Sequence, residues 1–178
     1  MTLAEIFCLA VLSLSVGDSK KNSEFACSQM DLIVRTSVEH RIRPEVLVSL
    51  IHHESRFNPG VVSQANACGL TQVIPKYTGS KKTGVKKLSC QDLKDPEVSI
   101  IAGTKTLNYW VYKYGKGSEK IGLCGYNAGF RCRPIKDKDG KKSLLRAGKR
   151  GMVYSRNVLK LADKLKRAVA KIRSDRGL

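Results

Sequence analysis

Apolar residues recur at helical spacing along most of this chain, and no long run alternates apolar and polar residues. Helices are therefore predicted over residues 28–42, 43–55, 95–115, 118–129 and 152–173. The loops at 79–91 and 129–150 leave room for a small β hairpin. The predicted fold class is mostly α, with at most that hairpin.

The second predicted helix carries a glutamate on its apolar face. Leu47, Leu50 and Ile51 mark this face at spacings i, i+3 and i+4, and Glu54 follows at i+7. Because burial disfavours the charged form of a carboxyl, such a position raises its pKa. A carboxyl that stays protonated near neutral pH can act as a general acid. The simpler alternative is a frayed helix end with Glu54 in water.

The N-terminus begins with an apolar run over residues 6–16, and 11 residues are too few for a membrane span, which needs roughly 20. The run is typical of a secretory signal, with small Ser15 and Gly17 placed for cleavage after Gly17. Glu5 is the charge before it, and no Lys or Arg precedes it. An uncleaved anchor or a short buried helix is the alternative for residues 1–17. Residues 18–27 are predicted to be a linker, and 28–178 a single domain.

The charge and the cysteines indicate which partners the protein can attract and how many disulfides it can form. The chain has 33 Lys+Arg against 15 Asp+Glu, a net charge of +18, which attracts polyanions such as nucleic acid, anionic lipid or the bacterial cell wall. Removal of residues 1–17 would take Cys8 away and leave five of the 6 cysteines, enough for two disulfides with one thiol left over. The spacing of the cysteines does not indicate a zinc site.

Five short motifs follow one another in a fixed order. They are Glu54-Ser55, Ser63, residues 69–72 (GLTQ), residues 125–129 (GYNAG) and residues 154–159 (YSRNVL). Over about residues 28–165 this ordered set resembles the catalytic domain of soluble lytic transglycosylases, which is related to goose-type lysozyme. The resemblance implies a lysozyme-like α domain, here with a basic C-terminal helix.

The resemblance also implies roles for individual residues. Glu54 matches the single catalytic acid/base, and Ser55 matches the serine that shapes the site beside it. The residues expected to order the site or bind substrate are Ser55, Ser63, Gln72, Tyr126, Asn127 and Tyr154. The hydroxyl of Tyr126 is expected to approach the catalytic carboxyl. Two departures are Thr71 in place of the usual methionine, which would alter an apolar wall of the sugar groove, and Gly125 in place of alanine.

The activity implied by the resemblance is lytic cleavage of the β-1,4 bond between N-acetylmuramic acid and N-acetylglucosamine, which forms a 1,6-anhydro product without a cofactor or metal. A second carboxyl would instead favour hydrolysis by a lysozyme-type muramidase. Asp92, Asp95 and Glu97 are the candidates for it, although Asp95 is better explained as a helix cap. A third alternative is a basic protein that binds nucleic acid or a membrane surface and keeps a vestigial site.

The expected partners are peptidoglycan glycan strands, other anionic envelope polymers, or a larger secretion, conjugation or virion assembly; no specific nucleic acid is predicted. The expected location is exported, either periplasmic, extracellular or at the cell wall, with a virion as the alternative. His52 and His53 are interpreted as rim or solvated histidines, since no third metal ligand follows at suitable spacing. Trp110 is predicted to pack into the core rather than to stack on sugar.

Overall fold

A computed structural model describes residues 1–132, 134–136, 142–144 and 149–177. Its α-helices are α1 (Leu3–Ser13), α2 (Lys20–Ser28), α3 (Met30–Glu39), α4 (Pro44–Ser55), α5 (Cys90–Lys94), α6 (Pro96–Asn108), α7 (Glu119–Ala128) and α8 (Lys149–Asp175). Within those residues, no helix combines the length and the apolar character needed to cross a membrane. The prediction of a mostly α fold is confirmed.

The strands are two short segments, β1 (Pro134–Lys136) and β2 (Lys142–Leu144). They pair antiparallel, with residue 135 opposite residue 143. This pair lies within the 129–150 loop, where a small hairpin was predicted. The 79–91 loop contains no such strand pair.

Local capping explains where most helices begin. Asp95 accepts a hydrogen bond from the backbone N–H of Val98 at 2.9 Å, which confirms its predicted role as the cap of α6. Ser118 caps α7 in the same way, and Pro44 occupies the first turn of α4. The predicted cap at Ser28 is displaced, because α2 occupies residues up to Ser28 and α3 begins only at Met30.

The third predicted helix changes its winding near its end. The α-helical part stops at Asn108, and Tyr109–Tyr114 continues as a π-helical turn. The wider turn brings Trp110 against α7, where the Cβ position of Gly125 is 2.4 Å from the Trp110 ring. Gly125 therefore leaves the space that the indole occupies, so this departure from alanine has a structural reason.

Residues 1–28 pack onto the rest of the domain. Phe7, Ala10 and Val11 of α1 are buried in the main core together with residues of α3, α4 and α8. Residues 18–27 do not form the linker that their polarity predicts, because Lys20–Ser28 is helical and a disulfide joins Cys27 to Cys8. Two further disulfides, Cys68–Cys90 and Cys124–Cys132, pair all the remaining cysteines.

A second, smaller core lies beneath the loops between α4 and α6. Its buried apolar residues are Cys68, Val73, Val85, Leu88, Leu93 and Ala102. The Cys68–Cys90 disulfide ties the 61–73 loop to the start of α5. This segment has little regular structure, so the small core and the disulfide hold it in place. It forms one wall of the groove described next.

Candidate active site

Glu54 lies at the last turn of α4, and the chain turns sharply just after it. Arg56 and Phe57 both have left-handed backbone angles, with φ of 54° and 61°. Non-glycine residues adopt this conformation at a cost, and such strain concentrates at functional sites. Phe57 is buried and anchors the turn in the core. The helix therefore ends with its glutamate held beside the loops that follow.

The environment of Glu54 raises its pKa. Leu47, Leu50 and Ile51, which share its helix face, are fully buried, as the spacing predicts. The side chain of Glu54 keeps some access to solvent, but the surrounding protein removes most of the solvation of its carboxyl. Burial raises the pKa of Glu54 to about 7, against an opposing hydrogen bond from Tyr154. Glu54 is thus partly protonated at neutral pH.

Tyr154 is the direct partner of Glu54. Its hydroxyl, on α8, donates a 2.5 Å hydrogen bond to Oε1 of the carboxyl. The hydroxyl of Tyr126, which the sequence led us to expect there, donates instead to the carbonyl oxygen of Thr71 at 2.7 Å. Burial, together with the nearby Glu54 charge, raises the pKa of both tyrosines, so both remain protonated donors.

Two of the expected site residues act on the backbone. Ser55 is buried, and its hydroxyl donates to the carbonyl of Leu70 at 2.8 Å, which connects the end of α4 to the GLTQ turn. The hydroxyl of Ser63 accepts a hydrogen bond from the backbone N–H of Ala67 at 3.0 Å. Both contacts order the loop between them. Of the described residues, neither of these serines lines the groove beside the site.

Gln72 and Asn127 line a groove of about 1260 Å³. Gln72 has φ of 52°, and its Nε2 donates to the carbonyls of Val61 and Gly69, both at 3.0 Å. These bonds hold the amide in one orientation at the groove surface. Asn127 is exposed at the end of α7. The structure therefore places an amide on each of two segments that line the same groove.

Thr71 does not line the groove, contrary to the expectation from the sequence. It is fully buried, and its hydroxyl donates to the carbonyl of Ser99 at 2.7 Å. The Cβ position of Gly103 lies 2.5 Å from the Thr71 hydroxyl oxygen, so α6 approaches this side chain closely. Thr71 faces α6, and its carbonyl is what reaches the site, through Tyr126.

Aromatic side chains contribute much of the groove surface. Trp110 is half-buried and packs with Tyr109, Tyr114 and Phe130 at ring-centroid distances of 5.0 to 5.4 Å. Trp110 also lines the groove, so its packing and its accessibility go together. Tyr77 and Phe130 line the groove as well. Sequence reasoning missed both, because only the fold shows that they are exposed on one surface.

His52 and His53 are half-buried beside Glu54. Nδ1 of His52 accepts a hydrogen bond from the backbone N–H of Gly17 at 3.0 Å, and burial lowers its pKa to about 4. Nδ1 of His53 lies 2.8 Å from the carbonyl of Ser49. Across the described part of the chain, no three His, Cys, Asp or Glu side chains form a group that could hold a metal ion.

Two of the three candidate second carboxylates take part in helix caps. Asp92 is exposed and forms a capping box with Ser89, and Asp95 caps α6. Glu97 lies in the first turn of α6. None of the described residues that line the groove is an aspartate or a glutamate.

Comparison with known families agrees with this geometry. The family described as the transglycosylase SLT domain matches residues 31–144. The chain belongs to this family. The match covers the GLTQ and GYNAG motifs, all of α4, α5, α6 and α7, and α3 from its second residue onward.

Named relatives of this SLT domain include two murein transglycosylases. Membrane-bound lytic murein transglycosylase E of Buchnera aphidicola is 32% identical over 88 residues, which are 47% of this chain and 40% of that protein. Soluble lytic murein transglycosylase of Salmonella typhimurium is 32% identical over 111 residues, 59% of this chain and 17% of that protein. The chain thus spans well under two thirds of either relative.

Solved structures show the same fold. An inactive mutant of lytic transglycosylase Slt from Pseudomonas aeruginosa has a TM-score of 0.65 and 22% identity, over 79% of this chain and 24% of that one. The 70 kDa soluble lytic transglycosylase from Escherichia coli gives 0.60 and 23%, over 77% and 24%. The predicted lysozyme-like architecture of this SLT domain is therefore confirmed.

Proposed function

We propose that this protein is a peptidoglycan lytic transglycosylase in which Glu54 serves first as acid and then as base. The observation that carries the proposal is the carboxyl of Glu54, with a pKa raised to about 7 and a hydrogen bond from Tyr154. Glu54 itself is not among the groove-lining residues, but its charge acts on Tyr126, which does line the groove. A carboxyl that titrates near neutral pH can give and take a proton in one catalytic cycle. Family membership and the names of the relatives support murein as the substrate.

The proposed reaction proceeds in two proton transfers. Glu54 gives its proton to the glycosidic oxygen between N-acetylmuramic acid and N-acetylglucosamine, and the C1–O bond breaks. The acetamido group of the sugar stabilises the positive charge that develops at C1. The Glu54 carboxylate then takes the proton of the C6 hydroxyl of the same sugar, and that oxygen closes on C1. The product is a 1,6-anhydro sugar, Glu54 has regained its proton, and no water is consumed.

The surrounding groups suit both halves of this cycle. The Tyr154 hydroxyl bond favours the carboxylate of Glu54 between the two transfers, whereas burial favours the acid before them. A hydrolytic muramidase generally uses a second carboxyl across the scissile bond. Asp92 and Asp95, two of the candidates for such a carboxyl, take part in the caps of α5 and α6 instead, which supports the transglycosylase over the hydrolase.

An exported location is part of the proposal. Three disulfides pair all of the cysteines, and disulfides persist mainly in oxidising compartments outside the cytosol. Murein, the substrate named for the relatives, is also a polymer of the cell envelope.

The test is a digest of purified peptidoglycan with the products identified by mass spectrometry. Wild type should release anhydro-muropeptides, and Glu54→Gln should release none. Glu45→Gln, on the first turn of the same helix, is the matched control and should keep the activity. Reducing-end products from wild type would make the enzyme a hydrolase. Tight binding of DNA by a folded protein that yields no products would favour the nucleic-acid alternative.

A further inference from the structure

The groove is lined by three exposed cations. Lys76 and Lys82 belong to the loop after the GLTQ turn, and Arg131 follows the end of α7. No aspartate or glutamate is found among the described groove residues. Two segments that are distant in sequence thus place positive charges on the surface of the same groove.

The absence of acid is a property of the sequence as well. Residues 55–91 contain 6 Lys+Arg and no Asp or Glu, and residues 120–132 contain Lys120 and Arg131 and no acid. Of the acids between these segments, Asp92 and Asp95 take part in helix caps, and Glu119 pairs with Arg43 at 2.7 Å. Among the described groove residues no acid offsets this positive field, and a concave surface of one charge sign focuses that field on a ligand.

Two of the three cations also have an exposed aromatic neighbour in the chain. Tyr77, 66% exposed, follows Lys76, and Phe130, 55% exposed, precedes Arg131. Exposed large aromatic side chains in a groove are suited to ligand contact, here to the apolar face of a sugar ring. A cation beside that ring can reach a carboxylate attached to the sugar. The two neighbouring side chains fit a sugar that carries an acidic substituent.

We propose that this groove selects glycan strands whose stem peptides carry free carboxylates, and that Lys76, Lys82 and Arg131 bind those carboxylates. The proposal rests on the proposed function, which supplies the strand itself. The N-acetylated sugars of the strand are neutral rings, so the negative charge of an intact strand lies on its peptides. The three cations add nothing to the binding of a neutral strand, and they distinguish a strand with free carboxylates from one with amidated ones.

The expected selectivity is modest, because the cations are exposed. Single exposed ion pairs contribute little, so three together should give a preference of roughly tenfold. The preference should shrink as salt is raised, since charges in water are screened over about 8 Å at physiological ionic strength.

The experiment compares two preparations of the same peptidoglycan strands, one with free stem carboxylates and one with those carboxylates amidated. The variant is Lys76→Gln, Lys82→Gln and Arg131→Gln together. The matched control is Lys160→Gln, Lys164→Gln and Lys166→Gln on α8, which removes the same charge from exposed positions outside the groove. Circular dichroism and thermal unfolding verify that both triple variants fold.

We expect wild type and the α8 control to cleave the free-carboxylate strands with a kcat/KM roughly tenfold above that for the amidated strands. The groove variant should lose this ratio, mainly through KM. A groove variant that keeps the ratio, or a wild type that shows none, overturns the proposal.

A second measurement separates this proposal from the proposed function. Sedimentation of Glu54→Gln with the two strand preparations measures binding without turnover. Preferential binding of free-carboxylate strands, together with no cleavage by wild type, would overturn the lytic activity and leave the charge selection standing. Cleavage of both preparations at equal rates, with equal binding, would overturn only the charge selection.

Discussion

The hydroxyl of Tyr154 donates a 2.5 Å hydrogen bond to Oε1 of Glu54 across 100 residues of sequence. This bond joins the start of α8 to the end of α4 at the centre of the candidate active site. Burial of the Glu54 carboxyl favours its acid form and this hydrogen bond favours its carboxylate form. Under the proposed function, the balance of these two effects sets the pH range in which Glu54 can act as an acid.

Loss of that hydrogen bond should change the pH profile in a defined direction. In Tyr154→Phe the carboxylate of Glu54 loses a donor, so its pKa rises and the alkaline limb of kcat/KM moves to higher pH. Because a hydrogen bond to a charged group contributes about 1.5–3 kcal/mol, we expect kcat to fall roughly tenfold or more.

The control for this variant is Tyr112→Phe. The hydroxyl of Tyr112 also donates to a protein oxygen, the carbonyl of Arg41 at 2.6 Å, but Tyr112 does not line the groove. Its pH profile should match that of wild type. A limb that moves to lower pH in Tyr154→Phe would contradict the assignment of the hydrogen bond.

The ionised carboxylate of Glu54 should lower the free energy of unfolding at high pH. Its pKa is raised from 4.5 to about 7 in the folded state, so the native protein binds this proton more tightly than the unfolded chain does. The contribution of Glu54 to the free energy of unfolding is fully present below pH 4.5, decreases as the pH rises towards 7 and is lost above it. The total change in this contribution is roughly 3 kcal/mol at most. Glu54→Gln should therefore be more stable than wild type at pH 8.

The measurement is urea unfolding of both proteins between pH 4 and pH 8. The difference in unfolding free energy between Glu54→Gln and wild type should grow with pH across this range. Glu45→Gln should show no comparable growth. A difference that stays constant with pH would show that the Glu54 carboxyl is well solvated in the native state.

Gly125→Ala should displace the indole of Trp110. The added Cβ would lie 2.4 Å from Cε3 of that ring, which also packs against Tyr114 and Phe130. Overpacking of this kind costs about 1–3 kcal/mol. The sequence contains a single tryptophan, Trp110, so the tryptophan fluorescence spectrum reports the displacement of its indole directly.

Gly60→Ala serves as the control for that steric effect. The nearest atom to its added Cβ is Oδ1 of Asn58 at 3.4 Å, an ordinary contact distance. We expect a change in stability within about 0.5 kcal/mol and an unchanged fluorescence spectrum. Equal stability of the two alanine variants would mean that α7 and the indole separate at little cost.

Loss of residues 1–17 should weaken the whole domain. It removes buried Phe7 and Val11 from the main core and the partner of Cys27 from the disulfide. It also removes the N–H of Gly17 that donates a hydrogen bond to His52, next to Glu54.

Removal of the disulfide alone, in Cys8→Ser with Cys27→Ser, should lower the free energy of unfolding by about 2–4 kcal/mol. A protein that begins at Asp18 should lose more.

Denaturant unfolding measures these losses. A reducing agent provides the control, since it should abolish the difference in unfolding free energy between wild type and the double cysteine variant. Intact-mass measurement of the protein recovered from cells shows whether residues 1–17 are still attached. A recovered protein that begins at Asp18 and is as stable as the full chain would contradict the structural role of α1.

Local sequence determined much of the site before any fold was known. The spacing of Leu47, Leu50 and Ile51 is enough to place Glu54 on an apolar face, because helical periodicity depends only on nearby residues. Asp95 could be assigned as a cap for the same reason. The order of the motifs from Glu54 to Tyr154 indicated the family, because family motifs are read along the chain.

Tertiary structure alone decided which atoms meet. Two tyrosines could approach Glu54, and packing gave the contact to Tyr154 while the hydroxyl of Tyr126 reached the backbone of Thr71. Polarity suggested that residues 18–27 were a linker, but Cys27 pairs with Cys8 and the segment is mostly helix. These outcomes depend on contacts between residues far apart in sequence, and a periodic pattern specifies which face of a helix is apolar without specifying which other element covers it.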